Sequence, residues 1–195
     1  MKKFFLILPL FLFFSSSLSF AEEVNLKPRN PKEWREYIRF RRDETLKELY
    51  KINPHAKDDI NRAKGYAVFV NFNLKVFFVG GGTGRGLIHE NKLMGGKETF
   101  MRMAQGGVGL GLGVKDFRAV FVFDDEQVMK KFLSSGWQFG GDADAAVKGG
   151  DAGLATSGAI GIAPGLRVYQ LTENGLALQA MLNGTKFWVD REVNE

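Results

Sequence analysis

The side chains able to do chemistry are few in this chain and widely spaced. The two histidines, His55 and His89, lie apart with no HExxH or cluster spacing around them, and there is no cysteine to act as nucleophile, metal ligand or disulfide partner. No GxSxG elbow occurs. The run GGGTGRG at 80–86 invites a phosphate-loop reading, but a P-loop needs GxxxxGK followed by Ser or Thr, and a dinucleotide fingerprint needs GxGxxG opening a helix. Neither spacing is present, and strand patterns follow the glycines. They therefore read as sheet packing or bulges. Asp142 and Asp144 resemble the start of a calcium loop, but the glycine and terminal glutamate are missing, so with Asp151 they read as turn or cap residues. These residues predict no enzyme, no metal and no cofactor.

What remains is charge arranged on a helix. Asn30-Pro31-Lys32-Glu33 is a start signal: a cap, a proline suited to the first turn, and a capping-box-like glutamate. Over residues 30–52 the helical period puts Trp34, Ile38, Thr45, Leu49 and Ile52 on one side, with Arg41 and Arg42 on or beside that stripe. Seven basic residues (Lys32, Arg35, Arg39, Arg41, Arg42, Lys47 and Lys51) face five acidic ones. The pattern alone favours a charge-laced helix packed on a sheet; an amphipathic helix meeting an anionic surface is the alternative.

The elements that position this helix follow in order. Asn53-Pro54 opens a short helix with Ala56, Ile60 and Ala63 in register and Gly65 as its stop. The pattern then changes to strand: 66–72 and 75–80 as a hairpin, 85–89, 99–104 and 117–124. In 106–114, GGVGLGLGV, aliphatic residues alternate with glycine, which predicts a strand with one bare face covered closely by a helix or aromatic side chains. Asp124-Asp125-Glu126-Gln127 starts a helix that stops at Gly136. Strands at 166–171, 176–182 and 185–190, separated by Asn174-Gly175 and Asn183-Gly184, read as a meander. The fold class expected is α+β: a barrel- or sandwich-like antiparallel sheet, closed or nearly closed, with an N-terminal amphipathic helix and one or two short packing helices.

The 195-residue chain begins with a positive segment, an apolar core at 4–14, and small residues Ser19 and Ala21 before a cleavage point. Residues 1–21 read as a signal peptide, 22–29 as a linker, and 30–191 as one domain. Removing Lys2 and Lys3 lowers the formal charge from +5 to +3, which suits anionic lipid without demanding nucleic acid. The 18 phenylalanines sit in the signal peptide and strand cores, not among a strongly basic surface, so base stacking is not indicated. An exported, periplasmic bacterial protein is expected.

Five stretches stand in order: AKGYAVF at 63–69, GGGTGRGLI at 80–88, QGGVGLGLGV at 105–114, the 120–147 segment and the VYQLTENGLALQAMLNGTKFWVD region. Their order resembles the SYLF domain, a lipid-binding module of exported bacterial proteins, yeast actin-patch proteins and an SH3-containing animal relative. The resemblance spans about residues 31–190 and implies a non-enzymatic domain that binds anionic phospholipid or a phosphoinositide-type headgroup, with the N-terminal helix contributing. Lys32, Trp34, Arg35, Arg39 and Arg42 are the candidate contacts, and the protein would be peripheral to a membrane. The rival readings are a periplasmic interaction module with an envelope protein partner and a carrier of a small hydrophobic ligand. The sequence leaves the oligomeric state open.

Overall fold

The computed structural model describes residues 28–72, 81–92, 95–106, 118–138, 159–171 and 185–195. Two helices come first. In α1 (Pro31–Ile52) the Asn30 side chain accepts from the Glu33 amide and donates to its carboxylate, the box expected from the sequence. A short α2 (His55–Arg62) follows. Gly65 does not stop it: α2 ends at Arg62 with Ala63 as cap, and Gly65 is the first residue of β1 (Gly65–Phe72). A side chain there would meet Met129 and the His89 carbonyl, so close packing accounts for this glycine.

After β1 come β2 (Gly81–Glu90), β3 (Lys97–Gly106), β4 (Arg118–Phe123), α3 (Glu126–Ser135), β5 (Trp137–Gln138), β6 (Ile160–Ala163), β7 (Leu166–Leu171), β8 (Thr185–Val189) and α4 (Arg191–Asn194). The strands form one sheet ordered β5-β8-β3-β2-β1-β4-β7-β6, with every pairing antiparallel. The α+β class expected from the sequence is therefore found. β7 and β8, read as parts of one meander, stand in opposite halves of the sheet, β7 beside β4 and β8 beside β3. The strand expected at 176–182 lies outside the described residues, as do 75–80, 107–114 and the signal peptide.

The sheet is curled into a half-barrel, and the aromatic contacts measure the curl. β1 and β8 are three strand spacings apart, which in a flat sheet would be about 14 Å. Yet the rings of Phe69 on β1 and Phe187 on β8 have centroids 4.6 Å apart, and Phe121 on β4 reaches Phe187 at 5.4 Å. Between them on the inner face of β2 lie Gly84 and Gly86. Gly86 is paired with Phe69, and a methyl at Gly86 would stand 2.6 Å from the Phe69 ring. The ring therefore lies across the bare strand. Gly84 is covered likewise by Met103, 2.7 Å from where a Cβ would stand. Helix α3 closes this concave side with Met129 and Phe132, capped by Asp125 at its start and Gly136 (φ +68°) at its end.

The convex side carries α1 and α2. Leu46, Leu49, Ala56 and Ile60 pack on Tyr66, Val68, Val120 and Tyr169, while Ile38 meets Leu87, Phe100 and Val193 of α4. One expected stripe residue is misplaced: Ile52 is 69% exposed, and Leu46 takes the buried role instead.

Gly86→Ala is expected to destabilise the fold by about 1–3 kcal/mol through overpacking against the Val68 carbonyl and the Phe69 ring. Urea unfolding measures it; an alanine variant as stable as the parent would show that the ring does not need the bare strand.

Candidate functional site

Between α1 and the convex face lies a layer that is partly apolar and partly charged, and the candidate residues are distributed through it. Because strand side chains alternate, Arg85, Leu87 and His89 of β2 share one face with Glu98, Phe100 and Arg102 of β3. Arg39 Nε of α1 donates to Glu98 Oε2 at 2.7 Å, and Arg42 Nη1 donates to Oε1 of the same carboxylate at 3.0 Å. Arg42 is also held by Asp43 at 2.6 Å and by the Tyr66 hydroxyl at 3.4 Å. The Arg39 guanidinium stands 5.3 Å from the Phe100 ring centre. Burial pushes the Glu98 carboxyl up, but hydrogen bonds and charge from Arg39 and Arg42 outweigh it and hold it below the usual carboxylate range. His89, paired with Glu98 across the strands and tilted against Tyr66 at 5.3 Å, has its basicity lowered chiefly by burial.

The other candidates have separate surroundings. Arg35 Nη1 donates to the Val193 carbonyl of α4 at 2.6 Å. The Trp34 indole lies 3.9 Å from the Arg85 guanidinium, which faces buried Asp190 at 2.7 Å. Arg102 approaches the same Asp190 oxygen at 2.8 Å and pairs with Glu192 at 2.6 Å. Lys32 is exposed. Helical spacing puts Lys32, Arg35 and Arg39 in a row along one flank of α1, next to Arg42. The structure thus brings Arg39 and Arg42 together on one anion, places Arg35 and Trp34 against the C-terminal end of the chain, and leaves Lys32 in solvent.

A second network ties α2 to β7. Buried Asp59 accepts from the Tyr169 hydroxyl at 2.5 Å, from Arg167 at 3.0 Å and from Arg62 at 3.0 Å, while Arg167 forks onto Asp124 at 2.7 and 2.8 Å. Burial alone would raise the Asp59 carboxyl; the three donors together hold it below the usual range. Burial and Asp59 push the Tyr169 hydroxyl up. Near the end of α3 a cavity of about 500 Å³ is lined by Arg102, Leu133, Trp188, Asp190 and Arg191 among others, a mixed polar and apolar wall. Among the described residues no group of three His, Cys, Asp or Glu side chains is placed to hold a metal, and no helix is long and apolar enough to cross a membrane.

Sequence reasoning named the α1 residues and missed their partners, Glu98, Arg85 and Val193. A signal was available: Arg85, Leu87 and His89, and Glu98, Phe100 and Arg102, alternate within their strands, so one side of each strand is visibly charged and aromatic.

This geometry defines a class: an α+β protein whose curled antiparallel sheet carries a cationic helix on its convex face. The chain is 31% identical over 183 residues to Beta cell expansion factor A of Aeromonas veronii, an alignment that covers 89% of this chain and 65% of that protein. This chain therefore spans a little under two thirds of that relative's length. No family model matches.

Depressed carboxyls stabilise a fold above their unfolded values, and that contribution is lost as pH falls through the folded ones. Asp59→Asn should therefore be less stable than the parent at neutral pH, and the gap should close as pH drops below the ordinary aspartate range of about 4. Urea midpoints across that window check it; a gap of constant size would contradict the assignment.

Proposed function

We propose that this chain is a SYLF-type, non-enzymatic lipid-binding domain that is exported to the periplasm and meets anionic phospholipid through the flank of α1 bearing Lys32, Arg35, Arg39 and Arg42. The observation that carries this reading is the convergence of Arg39 and Arg42 on a single carboxylate: two guanidiniums from adjacent turns held ready for one oxyanion. Exposed Lys32 extends the same flank, and each basic residue near an anionic surface contributes about 1 kcal/mol. The ordered motifs of the SYLF resemblance and the similarity to Beta cell expansion factor A along most of this chain support the same reading.

A protein partner in the envelope is the second reading, favoured by Phe40, which is 56% exposed on the outer side of α1. Salt separates the two, since attraction to a charged membrane is screened and apolar contact is not.

Co-sedimentation of the chain from residue 22 onward with vesicles of phosphatidylglycerol and phosphatidylcholine should exceed that with phosphatidylcholine alone, and should weaken as salt rises. Reversal of Lys32 and Arg39 to Glu should reduce it, with folding checked by circular dichroism. Equal binding to both vesicle types, or no loss in the reversed variant, would refute the lipid reading.

A further inference from the structure

We propose that Glu98 occupies, from within the chain, an oxyanion site formed by Arg39 and Arg42 whose external ligand is a phospholipid phosphate, so that Glu98 limits how strongly the protein holds an anionic membrane. The inference rests on the lipid reading above and specifies its chemistry.

Three observations support it. First, the contact is divided: each Glu98 oxygen takes one guanidinium, Oε2 from Arg39 at 2.7 Å and Oε1 from Arg42 at 3.0 Å. Guanidinium N–H groups donate to carboxylate and phosphate oxygens alike, so an arrangement that holds one suits the other. Second, the site opens to water. The Arg39 side chain is 44% exposed and that of Glu98 20%, so the carboxylate can turn outward into solvent, while Arg42, only 14% exposed, keeps Asp43 as its counter-charge. Its cross-strand neighbour His89 keeps Nδ1 buried with no hydrogen-bond partner, so that nitrogen does not hold Glu98 in place.

Third, the arginines stay positioned when the carboxylate leaves. Asp43 and the Tyr66 hydroxyl hold Arg42, and the Phe100 ring lies under Arg39. The cluster holds two guanidinium charges against Glu98 and Asp43, and Asp43 is 68% exposed. Replacing Glu98 by a phosphate therefore keeps the local charge balanced.

The test compares Glu98→Gln and Glu98→Asp with the parent on vesicles of equal phosphatidylglycerol and phosphatidylcholine, and on phosphatidylcholine alone. Glu98→Gln should bind the anionic vesicles about fivefold more tightly, as expected for one arginine freed to meet such a surface, with no gain on phosphatidylcholine. That gain should vanish when Arg39 and Arg42 are also changed to Gln. Glu98→Asp keeps the net charge but withdraws the carboxylate by one methylene, so it should bind more tightly than the parent and less tightly than Glu98→Gln; it also serves as the reading if the Gln variant does not fold.

A parent that binds while both folded variants bind equally or more weakly overturns the proposal and leaves the lipid reading standing. Absence of anionic preference in all three overturns both. A gain that persists without Arg39 and Arg42 would be net charge alone and overturns the site. A Glu98→Gln protein that takes up inorganic phosphate in calorimetry, yet gains nothing on vesicles, overturns the headgroup as the ligand.

Discussion

The structure depends on a ring lying across a strand at a point, Gly86, where no side chain obstructs it. Phe69 can cover Gly86 only because position 86 is bare, and from there it reaches Phe187, three strands away, at 4.6 Å. Phe121 and Phe132 complete the cluster, with Phe132 5.9 Å from Phe121 and 5.5 Å from Phe187. Aromatic contacts of this kind require the two halves of the sheet to turn toward each other, so the curl and the core are one feature. Helix α3 fits the concavity that results, and the opposite side becomes a convex surface large enough for α1 and α2.

How α1 is held on that surface decides what its arginines are free to do. Ile38, Leu46 and Leu49 are buried under the helix, and burial of each stabilises by about 1.5–3 kcal/mol. An exposed ion pair such as Arg39–Glu98 contributes about 0–1 kcal/mol. The aliphatic seam therefore holds the helix, and the arginines orient it. They can exchange one anion for another without releasing the helix from the sheet, which is what separates a membrane-facing role from a purely structural one. The Asp59 network differs: its carboxylate is buried and joins α2 to β7 through two donors, Arg167 and Tyr169, with Arg62 of α2 itself as a third.

Much of the fold was legible because its signals are local. The caps of α1 and α3, the strand at 66–72, and the strands around 118–123, 166–171 and 185–189 follow from neighbouring residues alone. Strand order did not, since β8 beside β3 is a pairing between distant segments that turn residues do not encode. Ile52 fits the apolar period of α1 but falls in its last turn, beyond the sheet's cover, and so faces solvent. The four-residue α4 gave no periodic signal, yet its Val193 is fully buried beneath α1. The close cover expected for the bare face of 106–114 lies outside the described residues; Gly86 of β2 shows a cover of that kind. The site itself was half legible. Helix spacing put the basic residues in a row, but their anion is 59 residues from Arg39 and 56 from Arg42, and only the register of β2 on β3 brings it there.

The central claim is that the arginines of α1 change partners when the protein meets an anionic membrane. Nitrogen-15 spectra of the arginine side chains report this directly, because the Arg39 Nε–H is hydrogen-bonded to Glu98 in the free protein. On adding nanodiscs rich in phosphatidylglycerol, the Arg39 and Arg42 signals should shift while that of Arg167, held by Asp59 and Asp124, should not. Phosphatidylcholine nanodiscs should move none of them. Binding to the anionic discs with the Arg39 and Arg42 signals unchanged would contradict the account.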